Sequence, residues 1–161
     1  MIRYVTGDAT NPLAPGQKIL PHVCNNIGKW GRGYVMAISA KWPAVRDAYL
    51  EWYKRKEFGL GKVLYVQVTP HITIANMVAQ AGIKTGSKGP PIRYDALEEC
   101  LTDVAKTADA WTRHPSIWSP GHNMMPAASL HMPKIGTGLA GGSWTSIEPI
   151  PCLSGTLTVA R

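Results

Sequence analysis

Two stretches of the chain combine residue types suited to holding an anion. The first is His22-Val23-Cys24-Asn25-Asn26-Ile27-Gly28-Lys29-Trp30-Gly31-Arg32-Gly33, which runs directly into a helical pattern at Tyr34. The second is Pro133-Lys134-Ile135-Gly136-Thr137-Gly138-Leu139-Ala140-Gly141-Gly142-Ser143-Trp144. Glycines just before a helix let backbone N–H groups approach a negative group closely, and the helix dipole favours negative charge there. A tight turn is the alternative for either loop alone. Two such loops, each entered from a strand end, suit a pyrophosphate flanked by backbone N–H groups on both sides.

Gly136, Gly138 and Gly141 match the dinucleotide fingerprint G-x-G-x-x-G letter for letter. A Rossmann reading fails, because that fingerprint opens the first βαβ unit and is followed about 20 residues later by an acidic residue. Only 19 residues follow Gly142, and residues 150–161 contain no acid. The chain has neither the P-loop consensus nor the Gly-x-Ser-x-Gly elbow of a serine hydrolase.

The elements that must position these loops follow from periodicity. Ile2–Val5 and residues 18–24 read as strands, with Pro21 pointing to an edge or a bulge in the second. Residues 34–41 read as a short helix broken at Trp42-Pro43. Val45, Ala48, Tyr49, Trp52 and Tyr53 fall at helical spacing, so a second helix ends before Gly59 with Trp52 and Tyr53 on its buried face. Val63–Val68 and Ile72–Ala79 form a hairpin or adjacent strands, and 93–112 is a long amphipathic helix. Residues 113–126 read as a loop, 127–132 as a short buried strand and 156–160 as a closing strand. Strands alternating with helices predict a three-layer α/β/α sandwich around a central mixed sheet, folded as one domain over residues 1–161.

Composition agrees with this. The chain has 161 residues, 45% apolar and 17% charged, with 16 Gly and 13 Pro, which excludes a disordered chain, a coiled coil and a disulfide scaffold. Seventeen basic against ten acidic residues give +7, so a polyanionic partner fits. Cys24, Cys100 and Cys152 are scattered, without a CxxC, and read as reduced, mostly buried thiols. The N-terminus lacks a signal layout and no apolar run approaches 18 residues, so a cytoplasmic protein without a membrane partner is expected. His22 and Cys24 share one side of a strand, but no second pair offers zinc spacing. His71, His114, His122 and His131 are isolated, His131 reading as a satisfied core residue. No metal and no cofactor is expected.

Taken together, Gly7-Asp8 after the first strand, the Asn-rich strand end with Gly-x-Gly, and Ile135-Gly136-Thr137-Gly138-Leu139 resemble a macrodomain, the ADP-ribose-binding module. The resemblance covers nearly the whole chain. The His-x-Cys-Asn stretch and Met132-Pro133-Lys134-Ile135-Gly136 are similar to the branch that holds ADP-ribosyl-carboxylate ester hydrolases and ADP-ribose-1''-phosphate phosphatases. Carried over by position, the resemblance implies that Asp8, beside Gly7, accepts the adenine amine, an Asx turn being the alternative. Asn25 and Asn26 would face the distal ribose or form a strand-end turn, and Trp30 would wall that pocket or pack on the core. The backbones of Gly31, Arg32 and Gly33, with those of Ile135, Gly136, Thr137, Gly138, Leu139 and Ala140, would hold the phosphates.

The best-known hydrolases of that branch work through a Lys at the end of the strand matching 72–80 and an Asp in the second glycine loop. Here those positions are Gln80 and Ala140, neither of which forms an imine or accepts a proton near neutral pH. Lys84 and Lys88 in the neighbouring stretch would reach the site or stay solvated. Substrate-assisted hydrolysis is expected instead, with a water held by a phosphate oxygen and by Asn25 or Gln80 as the catalytic residues. The resemblance thus implies a monomeric hydrolase that removes ADP-ribose from acidic side chains of ADP-ribosylated proteins, with nucleic acid not its direct ligand. The alternatives are an ADP-ribose-1''-phosphate phosphatase, a non-catalytic ADP-ribose reader and a plain nucleic-acid binder.

Overall fold

A computed structural model describes residues 2–86, 89–113, 128–150 and 157–160. Cys152, His114, His122, Lys88 and the loop expected over 113–126, apart from Arg113, which ends α3, lie outside the described residues. The elements run β1 (Ile2–Val5), β2 (Lys18–Asn25), α1 (Tyr34–Lys41), α2 (Pro43–Tyr53), β3 (Val63–Thr69) and β4 (Ile72–Gln80). They continue with α3 (Tyr94–Arg113), β5 (Ser129–Pro133), α4 (Trp144–Ile147) and β6 (Leu157–Ala160).

The strands form one six-stranded sheet in the order β1-β6-β5-β2-β4-β3. All neighbours are parallel except β3, which runs antiparallel to β4. This is the expected mixed sheet. Strand β2 is buried along nearly its whole length, as a strand covered on both faces must be.

Alternation along the strands divides the core in two. Ile19, Ala75, Met77, Leu130, Met132 and Val159 face α3, which returns Leu97, Cys100, Leu101 and Val104 from one stripe. Leu20 and Ile74 face Ile38 of α1 and Val45 of α2, while Cys24 and Val78 face Tyr49 and Trp52 of α2. Burying each large side chain contributes about 1.5–3 kcal/mol, so the sandwich is held from both sides. Between α1 and α2, Trp42 adopts φ −136° and ψ 80°. Pro43 imposes that extended backbone on the preceding residue and supplies the first residue of α2.

Two sequence expectations are corrected. Pro21 lies on an interior strand, not an edge. The β5 ladder engages only Lys18 and Ile19, so it stops before the missing proline N–H, and the irregularity of β2 falls at Cys24/Asn25 instead. Tyr53 is 44% exposed rather than on the buried face of α2. Its ring stands edge-on to Phe58 and covers the backbone at Gly28, where an added Cβ would lie 2.6 Å from the ring.

Because five strands are parallel, their C-terminal ends share one edge of the sheet. Asp8 follows β1, the first glycine loop follows β2, Gln80 ends β4 and the second glycine loop follows β5. A crevice outside the carboxyl ends of parallel strands is where α/β sheets bind ligands.

Candidate functional site

The first glycine loop is organised by Asn25. Its Oδ1 accepts from the N–H groups of Ile27 (3.1 Å) and Lys29 (3.0 Å), and its Nδ2 donates to the Lys29 carbonyl (2.6 Å). The Tyr49 hydroxyl donates to the Asn25 carbonyl at 2.7 Å and lies 3.2 Å from its Oδ1. These bonds fold the chain at the strand end, so the amide is committed to the loop. Trp30 stacks at a tilt on Tyr49, meets His22 edge-on and donates from its indole to Ser39 of α1 at 3.2 Å. The loop then enters α1 through Gly33 at φ +79° and ψ −149°, a region open essentially to glycine alone.

The second glycine loop turns its carbonyls inward. The Gly136 carbonyl accepts from Gly142, that of Gly138 from Gly141, and that of Ala140 from Ile92. The Lys134 carbonyl accepts from the Thr137 hydroxyl. Gly136 has φ +72°, and a Cβ there would press within 3.0 Å of Ile147 and 3.2 Å of Ile92, so only glycine fits. Its far end is held by Tyr94, whose hydroxyl accepts from the Ser143 N–H, and by α4, whose Trp144 indole donates to Tyr4 on β1. The N–H groups of Gly136, Thr137, Gly138 and Leu139, and those of Gly31, Arg32 and Gly33, donate to no group among the described residues.

The loops meet over one cavity of about 260 Å³, lined by Arg32, Gly33, Gln80 and the run from Pro133 to Ala140. A Cβ at Gly33 would lie 3.6 Å from Leu139 Cδ1, which shows how closely the loops approach. Helix α1 carries no acidic residue in its first turn and ends on Lys41, so its dipole stays uncompensated at the cavity end. Beside it a cavity of about 540 Å³ is lined by Asn25, Lys29, Trp30, Gly31, Arg32, Gln80, Lys84 and Leu139. A third, of about 530 Å³, lies by Gly7 and Asp8, with His131 and Thr158 on its sheet wall. Anion donors, a deep pocket and a carboxylate thus lie side by side along the sheet edge.

Asp8 is exposed, and its carboxylate accepts from the Thr10 N–H (2.8 Å) and from the Thr10 hydroxyl. Those bonds, with the nearby Lys41 charge, hold its pKa below the usual carboxylate range. Asn26 does not line these three cavities: its Oδ1 accepts from the Gly82 N–H at 2.9 Å and ties the first loop to the end of β4. Gln80 donates from Nε2 to the Gly82 carbonyl at 2.9 Å, which leaves its Oε1 without a partner among the described residues. Ile135 and Ala140 are buried and shape the second loop through their backbones.

The deeper groups are not nucleophiles or bases. Burial lowers the His22 pKa to about 4, so the ring is neutral, and its Nε2 lies 2.5 Å from Asn76 Oδ1. Burial pushes the Cys24 thiol well above its ordinary value. His131 is buried against the Ser129 hydroxyl, the packed environment expected for it. Among the described residues no carboxylate lines the cavity between the loops (the middle one) or the cavity of about 540 Å³ beside it (the distal one), and they contain no cluster of metal-ligating side chains. Such a site can bind and orient an anion, but its proton acceptors must come from elsewhere.

Sequence reasoning did not pick out Thr10, Lys29, Tyr49 or Asn76. Asn76 carried a signal, as a lone amide inside the apolar run 72–79, and Tyr49 carried none beyond helical spacing.

No family model matches the chain. It is 44% identical to a protein of unknown function from Bacteroides thetaiotaomicron whose structure is solved, covering 99% of this chain and 97% of that one, with a TM-score of 0.86. A solved macrodomain protein from Streptomyces coelicolor is 38% identical, covering 100% of this chain and 99% of that one, with a TM-score of 0.80. The chain belongs to the macrodomain family. Among curated proteins this macrodomain is also similar to an ADP-ribose 1''-phosphate phosphatase of Lodderomyces elongisporus. The two are 24% identical over 151 residues, which span 92% of this chain and 89% of that one.

Proposed function

We propose that the three adjoining cavities bind ADP-ribose and that the protein hydrolyses the ester linking ADP-ribose to acidic side chains of proteins. The observation that carries the reading is the pair of N–H rows, unpaired among the described residues, on two loops that both line one small cavity at the end of α1. Only a group with several acceptor oxygens uses both rows, and a pyrophosphate does so. On this reading Asp8 accepts the adenine amine with the carboxylate oxygen capacity left by Thr10, and the distal ribose enters the cavity of Asn25, Trp30 and Gln80.

Asn25 then acts by bracing the loop, while Gln80 Oε1 is the group placed to hold a water. That water attacks C1'' of the distal ribose as the C1''–O bond to the acyl group breaks. A phosphate oxygen of the ligand accepts the water's proton, and the carboxylate departs without needing one. Fixing the reactants in this geometry removes several kcal/mol of the barrier. A carboxylate leaving group suits a site whose deep cavities lack an acid.

The test is incubation of the protein with a glutamate-ADP-ribosylated substrate and a serine-linked one, following loss of label from each. Release from glutamate with little from serine is the expected result, and Gln80→Ala should slow it. Equal release from both would overturn the argument. A second reading, phosphatase action on ADP-ribose-1''-phosphate, is favoured by the name of the fungal relative and by the cations around the distal cavity. Phosphate release without deacylation would select it, and binding of ADP-ribose without either turnover would mark a reader.

A further inference from the structure

The mouth of the distal cavity carries Lys29, Arg32 and Lys84, all exposed, and among the described residues no carboxylate lines it. None of the three has an ion-pair partner among the described residues. The ion pairs formed there lie on or just beyond α2 and at the end of α3. Three cations gathered on one rim raise the local concentration of anionic partners. Two apolar side chains of the same lining are held out in solvent, Ile83 at 46% and Leu139 at 59% exposure.

We propose that this rim reads the acceptor itself, selecting ADP-ribose attached within an acidic polypeptide segment. The inference rests on the ADP-ribose reading above and adds to it the surroundings of the modified residue. Two observations favour a polypeptide over other anions. A lone phosphate has no use for exposed Ile83 and Leu139, whereas the side chains flanking a modified glutamate do. A nucleic acid calls for a stacking surface, but the aromatic ring lining this mouth, Trp30, is half-buried and pinned against Tyr49 and His22.

The experiment measures affinity for synthetic peptides that carry ADP-ribose through a non-hydrolysable amide, with acidic, neutral or basic flanking residues. Free ADP-ribose and an ADP-ribosylated oligonucleotide are measured alongside. Wild-type protein should bind the acidic peptide about three- to ten-fold more tightly than the neutral one, as expected of two or three exposed charge pairs. High salt should erase the preference. Lys29→Gln combined with Lys84→Gln should abolish it, read as the ratio of acidic-peptide to neutral-peptide affinity so that any loss common to all ADP-ribose ligands cancels. Equal affinity for all three peptides, or a preference surviving in the double variant, overturns the proposal, as does tighter binding of the oligonucleotide than of the acidic peptide. Failure to bind free ADP-ribose is a different result, and overturns the underlying reading.

Discussion

Gly31 and Gly33 look equivalent in the sequence, two glycines flanking an arginine, yet the structure assigns them opposite behaviour. Gly33 has φ +79° and ψ −149°, and an added Cβ would meet only Leu139 Cδ1 at 3.6 Å, an ordinary contact. The cost of Gly33→Ala is therefore backbone strain rather than collision, about 1–3 kcal/mol. Gly31 has no positive φ, and nothing lies within 4 Å of a Cβ added there. Gly31→Ala removes freedom from the unfolded chain and should leave stability unchanged or raise it by up to about 1 kcal/mol. For a domain of this size each kcal/mol moves Tm by about 2–4 °C, so Gly33→Ala should melt about 2–12 °C lower. Scanning calorimetry and urea midpoints on both variants check this. If Gly33→Ala relieves its strain by moving the loop, the first row of N–H donors disperses. Calorimetric affinity for ADP-ribose should then fall by at least about ten-fold, the worth of one bond to a charged group. Equal melting shifts for the two variants, or a Gly33→Ala protein with wild-type Tm and affinity, would refute the reasoning.

Asn25→Ala should lower stability by about 2–4 kcal/mol and remove ADP-ribose binding, because it strands the N–H groups of Ile27 and Lys29. Asn25→Asp should not restore it, since a carboxylate cannot donate to the Lys29 carbonyl; denaturant titration distinguishes the two. Asp8→Ala should weaken ADP-ribose binding about ten-fold or more with little change in Tm, read by calorimetry. His22 titrates near 4 when folded and near 6.5 when unfolded, so the unfolded chain binds the extra proton between those values. Its contribution to stability is thus intact above pH 6.5 and falls by about 1.4 kcal/mol per pH unit on acidification toward 4. Burial, with the nearby Lys18 charge, lowers the His131 pKa to about 4 as well, so His22→Gln should roughly halve the slope of the urea midpoint across that window rather than remove it.

Periodicity alone located the long elements closely. The 93–112 expectation differs from α3 (Tyr94–Arg113) by one residue at each end, because its apolar stripe repeats over five turns. Helix α4 was not anticipated, since four residues are too few to show a period and its position depends on the Trp144–Tyr4 bond across the chain. Pro21 misled because a proline's cost depends on which neighbour its nitrogen faces, and that is a property of the sheet. At the site, residue types pointed to the glycine loops and the family resemblance to Gln80, but neither said how amides are spent. Asn25 and Asn26 are adjacent and chemically identical, yet one braces the first loop and the other clamps it to β4. Only tertiary partners such as Tyr49 and Gly82 separate them.

The position of β6 has a consequence for how the protein is made. It lies between β1 and β5, so β1 finds its ladder in a strand made far later than itself, Ile2 opposite Leu157. At ordinary rates of synthesis about 10–30 s separate the two, and throughout that time β1 presents unpaired backbone groups to any other chain. The β2–β4–β3 half, with the first glycine loop, has its internal ladders complete by Gln80, and β2 then waits for β5 only at Lys18 and Ile19. Asp8 and the second glycine loop hang on the half that closes last. The cleft is therefore assembled from an early and a late unit, and a chain stalled between them displays one row of unpaired N–H groups without the other.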